Sequence, residues 1–286
     1  LRRSRENKQN EFEEIFSLKD ILKYEPLFVI ISNPTKYHFR ILSFCIYNNL
    51  NFLCEKPLLS SNYQIKKIKK ISLEYKGIGR VAYNMRYHPI IIKIKDLIKS
   101  KKLKDILYCR FFVGQYLPSW RPKTNHLKNY SSFNKLGGGV VFDLSHELDL
   151  AEYFFGSIKK EIKNHVYKVS NVTVDSEDIA EIIYKNKSDK LISLHLNYLI
   201  RKSTRKIFIF TQDGVLKADL LKAKIKIFKG QKLIEKISYK DFKRNHMYLD
   251  LILDFYSDLS RKKNKSKLPL FLDNLSLNKD LLRIKS

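Results

Sequence analysis

The 286-residue chain reads as a parallel α/β domain followed by an α+β domain whose open sheet is mainly antiparallel. Three features predict this. Up to about residue 83, short apolar runs alternate with amphipathic stretches at helical spacing, the pattern of repeated βαβ units. The earliest runs are apolar throughout, as in parallel strands covered on both faces. Beyond Gly156 apolar residues instead recur at every second position between turn signals, as in strands with one face on a core.

Residues 27–32 (LFVIIS) form the first buried strand, which Asn33-Pro34-Thr35 ends. The stretch 36–49 sets Phe39, Leu42 and Ile46 at helical spacing, with Leu50 just beyond, and predicts a helix. Residues 51–54 (NFLC) make the second strand, and Pro57 marks its exit. Ser60 or Ser61 can cap the next helix, which carries Ile65, Ile68, Ile71 and Leu73, because a serine oxygen accepts from the free N–H groups of a first turn. Residues 79–83 (GRVAY) are a third strand. A helix over 88–100 and a long strand over 106–113 follow, then a loop of aromatic and turn residues, a glycine-rich entry and a helix over 145–155. Period-two strands are expected over 162–169, 179–184, 191–199, 206–211, 215–218 and 224–228, with turns at Asn186-Lys187-Ser188-Asp189, Asp213-Gly214 and Lys229-Gly230. A closing helix over 245–259 places Tyr248, Leu251, Ile252 and Phe255 on one side.

Composition excludes several classes. An aromatic content of 13% with only 9 Gly and 7 Pro describes a folding chain rather than a disordered or collagenous one. No apolar run approaches the roughly 20 residues that cross a bilayer, and the polar opening LRRSRENKQNEFEE is not a signal peptide, so a cytoplasmic protein with no membrane partner is expected. Cys45, Cys54 and Cys109 lie far apart in apolar runs, as buried reduced thiols do, and suggest no metal site. The formal charge of +27 raises the possibility of a polyanion partner. Its lysines, however, are spread along the whole chain beside Ile, Asn and Tyr, the look of a general codon bias, so no specific nucleic-acid partner is expected.

Two stretches carry chemistry. Cys54-Glu55-Lys56-Pro57 follows a strand of the α/β region, where ligands of open parallel sheets bind, and a lysine held there can stabilise negative charge growing on a substrate oxygen. The run from Gly137 to Asp149 has three consecutive glycines, which permit close backbone approach or positive φ, and then His146 near a helix start. Histidine is the side chain best suited to shuttle a proton near neutrality, and Asp143, Glu147 and Asp149 lie around it. In the segment 114–122, Tyr116 and Trp120 can stack on a sugar ring, and Arg121 can hold a phosphate or carboxylate through paired donors.

NPTKYH, CEKP, Asn84-Met85-Arg86-Tyr87-His88-Pro89 and GGGVVFDLSHELDL stand in the order and spacing of the glucose–fructose oxidoreductase and inositol dehydrogenase family, which the chain resembles over nearly its whole length. The resemblance implies a Rossmann-like dinucleotide-binding domain over 1–86, joined to an α+β domain over 87–286 that binds substrate and self-associates through its open sheet. It implies an NAD(P)-dependent oxidoreductase acting on a sugar, sugar derivative or cyclitol, with Lys56 and His146 as the catalytic pair. Cofactor contacts are then expected from Ser32, Asn33, Pro34, His38, Glu55, Lys56 and Asn84, and substrate contacts from Lys56, Arg86, Tyr116, Trp120, Arg121, Asp143 and His146. The segment 114–122 resembles a branch of the family found with bacterial surface-carbohydrate biosynthesis.

The sequence departs from the family in two places. No GxGxxG occurs, so the first βα unit and its phosphate loop are expected upstream of Leu1 and the chain is read as N-terminally truncated. An Asp often stands four residues before the family's histidine, whereas here Phe142 holds that place and Asp143 lies three before. Arg2, Arg3 and Ser4 fall just after the expected second strand, where an acid would accept from the ribose of NAD; paired donors there favour the 2′-phosphate of NADP, so NADP is expected over NAD. A non-catalytic homologue and a basic nucleic-acid binder stay open as other readings.

Overall fold

The computed structural model describes residues 13–120, 129–261 and 266–286. Arg2, Arg3, Ser4 and Arg121 lie outside these residues.

A three-stranded parallel sheet is built from β1 (Val29–Ile31), β2 (Phe52–Cys54) and β3 (Gly79–Val81) in that spatial order, with Val29 opposite Phe52 and Phe52 opposite Gly79. The two helices α1 (His38–Tyr47) and α2 (Asn62–Ile71) connect these strands. Leu42, Cys45 and Ile46 bury one face of α1, and Ser61 caps α2 by accepting from the Gln64 N–H. Cys54 and Cys109 are also buried, so all three thiols sit in the core.

After α3 (Pro89–Lys99) the chain builds an eight-stranded sheet in the order β11-β10-β9-β8-β4-β7-β6-β5. Its strands are β4 (Ile106–Gly114), β5 (Ile158–Tyr167), β6 (Ile179–Asn186), β7 (Leu191–Asn197), β8 (Thr204–Thr211), β9 (Gly214–Asp219), β10 (Lys224–Lys229) and β11 (Lys232–Ser238). Every pairing is antiparallel except that of β4 with β7, as expected for a mainly antiparallel sheet. Period two explains its faces. Cys109, Phe111 and Val113 of β4 enter the core with Ile192, Leu194 and Leu196 of β7, while Tyr108, Arg110 and Phe112 point the other way. The one-turn α4 (Val140–Asp143) and α5 (His146–Phe155) cover the core face.

One expectation needs correction. The chain does not close at about residue 259: α6 (Arg244–Arg261) is followed by α7 (Phe271–Lys285), which packs back on α2 and β3. Asn278 of α7 accepts from the Leu59 N–H and donates to the Leu59 carbonyl, both at 2.9 Å, while the Lys285 ammonium donates to the Gly138 carbonyl and the Glu177 carboxylate. The last helix therefore packs against both the parallel sheet and the second sheet. The glycine run takes the positive φ that its sequence allows. Gly137 and Gly139 have φ of 86° and 110°, and a Cβ on Gly138 would lie 2.5 Å from the carbonyls of Tyr130 and Ser131. No described helix is long and apolar enough to cross a membrane.

Candidate functional site

The carboxyl ends of β1, β2 and β3 converge on one wall of a cavity of about 780 Å³. Its opposite wall comes from the second sheet and the helices around it. Backbone bonds hold the strand ends in register: the Glu55 N–H donates to Ile31 and the Ala82 N–H to Cys54. Ser32, Asn33, Glu55, Lys56 and Asn84 are thereby placed along one cavity.

Lys56 spans the two walls. Its ammonium donates to the Asp143 carbonyl at 2.5 Å and more weakly to that of Phe142 at 3.5 Å. Burial pushes its pKa down, while Asp143 and Glu55 oppose that shift. Burial also pushes the Glu55 carboxyl up.

His146 opens α5, half-buried, with its ring edge-on to Tyr83 at 5.7 Å. Burial first, then the cations Lys56, Arg205 and Arg244, hold its pKa well below the ordinary value, so the imidazole is neutral at neutral pH. Its buried Nδ1 has no hydrogen-bond partner. Asp143 does not orient it, because that carboxylate accepts from the Tyr198 hydroxyl at 2.6 Å.

Other predicted residues are employed differently. His38 is buried, and its ring is spent on the carbonyls of Asn33, Pro57 and Leu58. Pro34 leads into the 3-10 turn Thr35–Tyr37 and does not line the cavity. Arg86 is held by both oxygens of buried Asp149, at 2.6 and 3.0 Å, and by the Lys267 carbonyl. His38 and Arg86 thus spend their polar groups on the protein, and Pro34 stands outside the cavity lining. Tyr116 and Trp120 do line the cavity.

Sequence reasoning missed Arg205, Arg244 and Tyr248, which complete the second wall. Arg205 follows from register alone, since β8 pairs it with Val113 of β4, and it grips Glu147 at 2.7 and 2.9 Å. Tyr248 lies on the stripe expected for the closing helix, but its use at a cleft has no local signal.

The residues fit the nicotinamide end of a dinucleotide. The Asn33 and Asn84 carboxamide oxygens are buried without partners at the strand ends, where amide and hydroxyl donors of such a nucleotide satisfy them. Among the described residues no cluster of His, Cys, Asp and Glu suits a metal ion.

Residues 91–217 match the model of the GFO/IDH/MocA C-terminal domain. Levoglucosan dehydrogenase of Pseudarthrobacter phenanthrenivorans is 26% identical over 130 residues, 45% of this chain and 33% of the relative. The rhizopine catabolism protein MocA of Rhizobium meliloti is 25% identical over 129 residues, 45% and 38% of the two chains. The chain spans half or less of the length of the curated relatives it matches. Among solved structures, an inositol dehydrogenase homolog of Azotobacter vinelandii complexed with NAD+ superposes with TM-score 0.80 at 15% identity, over 93% of this chain and 78% of the other. Levoglucosan dehydrogenase in complex with NADH and L-sorbose gives TM-score 0.80 at 15% identity, over 93% and 79%. The fold is thus shared across both units, and the match to the GFO/IDH/MocA C-terminal domain covers residues 91–217.

Proposed function

We propose that the chain belongs to an NAD(P)-dependent oxidoreductase that interconverts a hydroxyl and a keto carbon of a sugar, sugar derivative or cyclitol. The observation that carries this reading is the meeting of Lys56 and His146, 90 positions apart in the sequence, on facing walls of one cavity lined with unpartnered polar atoms. A bound nicotinamide supplies the hydride acceptor. In the oxidative direction His146, kept neutral, takes the hydroxyl proton while the carbinol carbon gives up its hydrogen as hydride. The Lys56 ammonium, fixed by the Asp143 carbonyl, stabilises the oxyanion that develops as the proton leaves. Relatives named for levoglucosan and inositol support the substrate class.

NADP over NAD rests on Arg2, Arg3 and Ser4 alone, whereas the solved relatives carry NAD+ or NADH. Self-association through the open face of the eight-stranded sheet belongs to the same reading.

The test is oxidation of a panel of sugars and cyclitols by the protein extended upstream of Leu1, followed as reduced nicotinamide with NAD and with NADP. Lys56→Ala and His146→Asn are each expected to lower kcat by about 10²–10⁴. Turnover equal to the parent in both variants overturns the assignment.

A further inference from the structure

Arg244 is the first residue of α6 and stands exposed at the rim of the cavity. Among the described residues its guanidinium has no hydrogen-bond or ion-pair partner. The other charged groups of that wall are engaged: Arg205 holds Glu147, Asp143 accepts from Tyr198, and Lys56 donates to two backbone carbonyls. One positive charge on the substrate side is thus unanswered. Tyr248 lies one helical turn after Arg244 and lines the same cavity, so a guanidinium and a phenol stand side by side on one face.

We infer that the substrate is an acidic sugar, whose carboxylate or phosphate is bound by Arg244 while its reacting carbon lies at His146 and Lys56. The inference rests on the oxidoreductase reading and adds the substrate's charge. A guanidinium presents paired, planar donors that match an oxyanion, and the nearby phenol adds one more. The anion also acts on the base. Lys56, Arg205 and Arg244 all oppose a protonated His146, so a bound anion removes part of that opposition and strengthens His146 as a proton acceptor. An acidic sugar then gains in kcat as well as in KM over its neutral counterpart.

Binding to the chain without cofactor tests the inference directly. Titration calorimetry is run with glucuronate, galacturonate and glucose 6-phosphate beside glucose and galactose, which also separates carboxylate from phosphate. At least one acid is expected to bind more tightly than its neutral counterpart. Arg244→Gln is expected to weaken that acid by about tenfold to a hundredfold, the usual loss for one charge-assisted hydrogen bond. Lys243→Gln removes the same charge from an exposed neighbour that does not line the cavity, and is expected to keep the preference. Equal binding of acids and neutral sugars, a preference that survives Arg244→Gln, or equal losses in both variants overturns the inference. Turnover is scored separately with the upstream-extended protein. Arg244-dependent binding without turnover supports the anion site and counts against the oxidoreductase reading.

Discussion

Single side chains show where local sequence is informative and where it fails. Lys56 and His146 are legible because each sits in a short run whose strand end or helix start is also local. His38 and Arg86 bind partners that the fold brings to them: Asp149 is 63 positions beyond Arg86. Arg205 and Arg244 were invisible among 56 basic residues, since nothing near them in sequence marks them. Glu152 on α5 is a further case. One of its carboxyl oxygens is buried without a partner, and burial, then Asp280 and Asp149, push its pKa from 4.5 up to about 7, against Arg86 and Lys187. A folded pKa above the unfolded one means that this group's stabilising contribution is full below pH 4.5 and lost as pH rises through 7. Glu152→Gln is therefore expected to raise stability by on the order of 2 kcal/mol above that window and to match the parent below it. Urea unfolding at both pH values checks this, and equal stability at high pH contradicts the buried acid.

At the scale of elements, periodicity recovered every strand of the parallel sheet and most of the second sheet. It placed β5 about four residues late, because the charged start of that strand masks the alternation. It also missed α7, whose buried face is not uniformly apolar: Asn274 and Asn278 lie on it with Phe271, Leu275 and Leu281. Asn278 is polar there for a reason, as it satisfies both backbone groups of Leu59, which follows the Lys56 turn. Arg80 of β3 makes a similar tie to α6, donating twice to buried Asp258 and once to the Leu268 carbonyl. The strand ends on the Lys56 side of the cavity are thus braced by residues more than 150 positions away. Asn278→Ala leaves a buried donor and acceptor unmatched and is expected to cost about 2–6 kcal/mol, at about 1–3 per orphaned group. A shift of less than 1 kcal/mol in urea, on the scale of an ordinary surface substitution, means that α7 does not brace the site.

For the whole molecule, charge and the open sheet act against each other. The face of the sheet turned from the core carries Tyr108 stacked on Phe210 at 5.4 Å, Phe112 stacked on His195 at 4.5 Å, and Ile183, which is 47% exposed. Exposed aromatic and apolar side chains, even set beside Arg110 and the His195–Glu181 pair, are costly to leave in water, which favours the proposed self-association. A net charge of +27 on each copy opposes it. Salt weakens that repulsion, since the Debye length falls from about 10 Å at 0.1 M to about 3 Å at 1 M, while burial of apolar surface persists. Assembly is therefore expected to tighten as salt rises. Sticking to nucleic acid has the opposite sign, because it depends on releasing counterions from phosphates and weakens with salt. Sedimentation velocity at low and high salt distinguishes the two, with Phe210→Lys and Ile183→Lys placing charge in the centre of the face. A larger species that grows with salt and disappears in both variants fits association through the sheet. A monomer at every salt concentration, or assembly indifferent to both substitutions, assigns the aromatic face another role and leaves the cavity chemistry to be judged on Lys56, His146 and Arg244.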